Sequence, residues 1–343
     1  MKNIRFSYRE AFYWFFSTFL GLFYVFFLSL MPNSWFRDRD SYLIYASEAE
    51  SIIERYGEIN VLFFNEPIFL YINLYLEKII DYNYIPHFFV FFITTIFVFF
   101  LAYKSKNLFI FLLGIVLSLF VPYMIQSELV ALRQGIATSI FILAFFFIKS
   151  EKKVAAILFL CALIHSVFFL FFLIWTLNFC FFKDFELKAK LFFNFLMMLI
   201  FSFLFLVVAK FLGLRQGDVY QQSMEVQRSG GAFLLFFGVA IYLYLYGDKN
   251  DKRLYEFTLI GLVIFLTTYF LTPIAGRFFN TIIPFVFFLL VSRSRILDIL
   301  LLVFLLVIFL FLFFQGSYLS LLAISEAQFG EEFSGYLSGF LDL

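Results

Sequence analysis

The sequence predicts an all-α, polytopic transmembrane bundle of about 10–12 helices, forming one integral membrane domain over residues 1–343. Three observations carry this. Of the 343 residues 64% are hydrophobic and only 14% charged, more apolar surface than a soluble core can hide. Runs of about 16–22 apolar residues recur, long enough to cross a bilayer as helices. The runs are uniformly apolar and lack the period-two alternation that a closed membrane barrel requires.

The same composition excludes several classes. A net charge of +1 offers nothing to nucleic acid. No glycine-rich phosphate loop and no Cys/His metal cluster occurs in the chain, and the lack of a nucleotide-binding domain argues against an ATP-driven pump. Cys161 and Cys180 both sit in apolar runs and read as small buried hydrophobes, not as a disulfide framework.

The first helix is expected over residues 11–31. It lacks the short core and small-residue cleavage site of a signal peptide, so it reads as an uncleaved span. Lys and Arg gather in short clusters around residues 2–9, 104–106, 149–153, 183–190, 249–253 and 293–295. Short basic loops stay in the cytoplasm. This puts the N-terminus inside and residues 32–66 in an outer loop. Helices at 87–103 and 107–123 follow, with 124–132 as the next outer loop and 133–148 returning inward. Spans at 149–165 and 166–182 meet at an outer bend carrying His165, and 191–212 leads out to a loop at 213–231. Helices at 232–247, 254–271, 277–292 and 296–315 precede an acidic outer tail at 316–343. Residues 61–81 do not fit as a crossing, because a span there would move inner lysines outside. They are expected as a re-entrant or interfacial helix with Pro67 in its first turn.

With this sidedness the inner basic residues are mostly lysine, as a topology signal requires. The outer ones (Arg37, Arg39, Arg55, Lys78, Arg133, Lys210, Arg215, Arg228 and Arg277) are mostly arginine. Arginine's planar fork grips phosphate or carboxylate with two bonds, which lysine's point charge does not. His87 and His165 fall on the same side. Charged groups at the borders of apolar segments usually face a polar cavity. The candidates are therefore Arg133, Arg215 and Arg277 for an anion, and Glu66 for a general base, with His165 at the next outer bend. Asp40 and Tyr42 are candidates for sugar hydroxyls, through paired acceptors and an aromatic face. Each has a plainer reading: Asp40 as a helix cap near Ser41, Glu66 as a carboxylate at a helix start, Glu128 and Arg133 as an ion pair at the headgroups, and His165 as a bonded interhelical residue.

These motifs resemble the Wzy-type polysaccharide polymerases, in their EpsG-like branch. The resemblance rests on Asp38-Arg39-Asp40-Ser41-Tyr42 after the first helix, on Glu66-Pro67, on Leu132 to Ala137 (L-R-Q-G-I-A), on Leu163 to Ser166 (L-I-H-S) and on the G-R-F-F helix start at Gly276 to Phe279. It covers most of the chain. It implies a GT-C-like membrane glycosyltransferase, inverting, metal-independent and without a cofactor, at the outer face of the bacterial inner membrane. Its substrates would be undecaprenyl-diphosphate-linked oligosaccharides, joined into O antigen, capsule or exopolysaccharide, and a chain-length regulator would be a possible protein partner. Under that resemblance Arg133, Arg277 and Arg215 hold the diphosphate, Glu66 or His165 is the base, and Asp40, Tyr42 and Tyr220 hold sugar. The alternatives are a flippase or transporter of the same lipid, which would show internal repeats, and an O-antigen ligase.

Overall fold

The computed structural model describes residues 7–56, 65–211, 230–272 and 274–341. Among the described residues the regular structure is all helical, apart from one isolated bridge between Phe36 and Leu322. They form two compact units, Met1–Phe172 with Ser294–Leu343, and Leu173–Arg293.

The first unit is built on α5, Ile85–Lys104. Helix α1, Tyr8–Ser29, runs antiparallel beside it. Tyr13 Oη donates to the Ala102 carbonyl at one end, and His87 Nδ1 lies 2.7 Å from the Ser29 carbonyl at the other. The approach is close: a Cβ on Gly21 would stand 2.5 Å from Val98 Cγ1, in keeping with small residues at membrane helix crossings. Helix α1 starts before the expected position because Ser7 and Glu10 form a capping box. Its outer face keeps Phe12, Phe15, Phe19 and Phe23 exposed, as a lipid-facing surface would.

Three short helices gather at the end of α5 near its start: α2 (Arg39–Ser47), α3 (Ala49–Tyr56) and α4 (Pro67–Glu77). Helix α4 has 11 residues, about 16 Å at 1.5 Å per residue, too short to cross a membrane. It is led by Pro67, as expected. Helix α6, Leu108–Ser118, then ends and the chain bends by 77° into a single turn at Pro122–Ile125 and a π-helical turn at Gln126–Val130. Pro122 enforces the break, since it cannot donate within α6 and keeps Val121 extended. Residues 124–132 were expected as an outer loop. They are helical instead, with Ser127, Glu128, Leu129 and Val130 buried. The polar letters mislead because their partners come from distant segments.

Helix α7, Leu132–Phe147, packs on α5 and on α8, Glu151–Ala162. Helix α9 (Phe168–Trp175) follows the bend and continues as a π-helical turn at Thr176–Phe181. In the second unit α10 (Leu187–Phe211), α11 (Gly231–Tyr246) and α13 (Ile274–Leu290) all pack on α12, Lys252–Thr268. A Lys190–Glu256 ion pair at 2.8 Å and reciprocal Asn178–Asn194 amide bonds join buried polar groups within this unit.

The chain returns to the first unit with α14, Ile296–Phe314, and α15, Glu326–Leu341. The segment after Gly316, expected as an outer tail, is docked. Trp35 Nε1 donates to Glu332 at 2.6 Å, Tyr336 Oη donates to the Phe27 carbonyl, and Phe333 and Phe340 pack on Phe27. Phe329, Phe333, Tyr336 and Phe340, spaced at three and four residues, give α15 an apolar face that its acidic residues conceal in a charge count.

Among the described residues four helices are long and apolar enough to cross a membrane, or five if the bent pair counts as one. Four more apolar helices are shorter, at 10–17 residues. The described residues therefore make a multi-pass bundle in which several expected spans are compact.

Candidate active site

Glu66 is the residue on which α4 starts. Its backbone lies at φ 57° and ψ 54°, the left-handed region, which costs a non-glycine residue on the order of 1–3 kcal/mol. What holds it there is a set of tertiary bonds. Glu66 Oε2 accepts from Arg133 Nη1 at 2.5 Å. Glu66 Oε1 accepts from the Ser166 backbone N–H at 3.1 Å. The Ile68 N–H donates to the Leu163 carbonyl at 3.1 Å. The start of α4 is thus stitched to the bend between α8 and α9.

Arg133 reaches Glu66 from the first turn of α7. Its guanidinium stacks 5.2 Å from the Tyr45 ring and 5.9 Å from those of Tyr42 and Phe69. A cation over several aromatic faces is worth about 1 kcal/mol per good contact, more when dry. One NH group pairs with the carboxylate, while the buried Nε has no partner among the described residues. The side chain is 32% exposed, so the fork keeps an open edge.

His165 completes the group. Its Nδ1 lies 4.0 Å from Glu66 Oε1, beyond hydrogen-bond reach. That same nitrogen accepts from the Val167 N–H at 3.2 Å. Such a bond places the proton of the neutral ring on Nε2. Bonding Glu66 through Nδ1 would require the other tautomer.

Tyr42 is buried on α2 and forms part of the wall behind Arg133. Burial raises its phenol above the ordinary value, with Arg133 pulling the other way. Asp40 is exposed on the first turn of the same helix. It is not the cap: α2 starts at Arg39, and its N-cap is Asp38 at φ 64°. The helix therefore begins earlier than the sequence suggested. Arg277 is exposed near the start of α13 in the second unit. Arg215 and Tyr220 lie outside the described residues, as does most of the loop expected at 213–231. The structure thus brings Glu66, Arg133, His165 and Tyr42 together. The expected Glu128–Arg133 pair is replaced by Glu66–Arg133, because Glu128 is buried against Tyr24 at 2.6 Å.

Sequence reasoning missed two contributors. Tyr45 is the nearest ring to Arg133, and its i, i+3 spacing from Tyr42 was a signal that both rings share one helix face. Arg39 reads as half of a self-neutral Arg-Asp run, yet it is 1% exposed. Its Nε donates to the Leu129 carbonyl at 2.7 Å and its Nη1 to Asn33 at 2.9 Å. Burial pushes its pKa down to about 9, which leaves it charged at neutral pH. Nothing local in the sequence marks it.

Chemically, the cluster offers a carboxylate, a guanidinium with donors to spare, an imidazole and an aromatic wall. It can hold an anion and accept a proton beside it. Among the described residues no group of three or more His, Cys, Asp or Glu side chains could hold a metal ion. Among the described residues neither Cys161 nor Cys180 forms a disulfide. A family model, that of the EpsG family, matches residues 8–329. No match was found among curated proteins or among solved structures.

Proposed function

The chain belongs to the EpsG family, a Wzy-like polymerase family, and from that premise we propose that it joins lipid-diphosphate-linked oligosaccharide repeats into a surface polysaccharide. The observation that carries the reading is the Glu66–Arg133 pair, set beside His165 at a strained helix start. The reaction is an inverting, metal-independent glycosyl transfer. A hydroxyl at the acceptor's non-reducing end attacks the donor's anomeric carbon. The bond from that carbon to the diphosphate oxygen breaks, and the undecaprenyl diphosphate leaves with the electron pair. The hydroxyl proton passes to Glu66.

Arg133 neutralises charge growing on the leaving diphosphate, the kind of prearranged contact that acts most strongly in a dry site. The Arg133–Glu66 bond then has a second use. An incoming diphosphate competes for the guanidinium, and every bond it takes makes the carboxylate more basic. His165, with its proton on Nε2, donates to the departing oxygens or to a sugar. Asp40 and Tyr42 hold the acceptor sugar. The site faces the outside of a bacterial inner membrane, with the N-terminus in the cytoplasm, as the inner lysines favour. A chain-length regulator acts as partner.

The test is elongation of a purified lipid-linked repeat. Arg133→Ala loses chain growth while eluting as a folded, monodisperse protein. Undiminished elongation by that variant would overturn the assignment. Proteoliposomes separate this from lipid transport: the polymerase lengthens glycan without moving it across the bilayer.

A further inference from the structure

A second polar group is buried elsewhere in the first unit. Glu128 on the π-helical turn is 1% exposed. Its Oε2 accepts from Tyr24 at 2.6 Å, and Tyr24 Oη lies 3.1 Å from Ser118 Oγ. Its Oε1 has no partner among the described residues. Leaving a buried carboxyl oxygen unpaired costs about 1–3 kcal/mol or more, so it calls for an explanation. The explanation lies beside it. Glu128 lines a cavity of about 450 Å³. The rest of the wall is nearly all hydrocarbon and ring: Met31, Leu119, Ile125, Phe313, Phe329 and their neighbours. No lysine, arginine or histidine lines it.

We propose that this cavity is a binding site for an uncharged, single-chain lipid alcohol, whose hydroxyl bonds Glu128 Oε1 while its chain fills the apolar space. The volume and lining select the chain. The space equals about fifteen waters at roughly 30 Å³ each, yet it offers water almost no partners. It falls within the range of about 300–1,000 Å³ typical of small-molecule pockets. The unpaired carboxyl oxygen selects the head. A hydroxyl can donate to a carboxylate or accept from a carboxylic acid, so it fits either protonation state. A phosphate or diphosphate would be buried with no cation in the wall to pair it. An ammonium would bring three donors to one acceptor. The site is therefore separate from Arg133 and Glu66 and selects against the diphosphate lipid those residues would hold. It is also connected to them, because the π-helical turn that carries Glu128 runs directly into α7.

The experiment uses the full-length protein in phosphatidylcholine nanodiscs and a photoactivatable analogue of hexadecanol, with labelled residues mapped by mass spectrometry. Labelling is expected at α15 and at the end of α14, and hexadecanol should compete about tenfold better than hexadecyl phosphate or hexadecylamine, the scale of one buried hydrogen bond. Leu119→Trp, which fills the cavity, should abolish labelling. Glu128→Leu should erase the preference for alcohol, and Glu128→Gln, which can still donate and accept, should keep it. Should Glu128→Leu fail to fold, the head-group series on the unaltered protein and Leu119→Trp still decide. Equal competition by all head groups, labelling away from this wall, or unchanged labelling in Leu119→Trp would each overturn the proposal. No glycan elongation is measured, so failure here is distinct from failure of the polymerase reading.

Discussion

Arg133 carries a charge that three neighbouring rings and one carboxylate share, and its geometry suits a fork and not a point. Arg133→Lys keeps the charge but not the parallel donors. Under the proposed mechanism it should retain no more than about a hundredth of the elongation rate, the size of effect seen when one transition-state donor is lost. Glu66→Gln tests the other half. The amide can keep the Ser166 bond, but it cannot take a proton, and a drop of about 10²–10⁴ in turnover with little change in substrate affinity is expected. A rate within about threefold of the unaltered protein would remove Glu66 as base and leave His165. Arg39 makes a different prediction. Arg39→Met strips partners from the buried Leu129 carbonyl and from Asn33. It should lower unfolding stability by about 2–4 kcal/mol, read as a lower thermal midpoint in detergent. These residues differ in how visible they were. Arg133, Glu66 and His165 stand out because each is polar at the border of an apolar run. Arg39 and Glu128 look like ordinary loop residues, since the Leu129 carbonyl and Tyr24 hydroxyl that bury them lie some ninety or more positions away.

At the scale of elements, the site depends on how α7 leaves the π-helical turn. Gly135 permits this. A Cβ there would stand 2.5 Å from both Ile93 Cδ1 and the Ser127 carbonyl oxygen. The end of an isoleucine can give way, but a backbone carbonyl in a packed turn cannot. Gly135→Ala should therefore push α7 off the turn and carry Arg133 away from Glu66. The expected loss is about 10²-fold in elongation, the penalty for misplacing a reacting group by about 1 Å. Gly21→Ala serves as the comparison. It crowds Val98 on α5 by a similar margin, but far from Arg133, so it should cost stability while leaving turnover of the folded fraction near normal. The helices themselves were largely legible. Continuous apolar runs bounded by Lys, Asn, Pro and Gly locate α5, α7, α10 and α14 within a few residues. The turn at 126–130 was not, because a π-helical turn has no hydrophobic period of its own. Nor was the docking of α15, whose acidic residues hide a line of Phe and Tyr.

For the whole molecule, family membership and the helical, apolar architecture agree on a membrane polysaccharide polymerase, while the substrate and the face of the membrane rest on the proposal. The C-terminal helix gives a test at this scale. Ending the chain after Ile324 removes α15, and with it the Glu332 bond to Trp35 and the rings against Phe27. Hydrogen exchange should accelerate at the end of α1, while α12 in the second unit keeps its protection. Uniform acceleration across both units would show that the two do not open separately.

The first unit is assembled from both ends of the polypeptide, with the second unit inserted between them. During synthesis the segment 173–293 emerges, and can reach its own packing, while its host is still lacking α14 and α15. The wall of Phe313 and Phe329 and the anchor for Trp35 arrive only after that segment has emerged. Nascent chains stalled before Ile296 should accordingly expose Trp35 to aqueous quenchers, and chains extended past Leu341 should shield it.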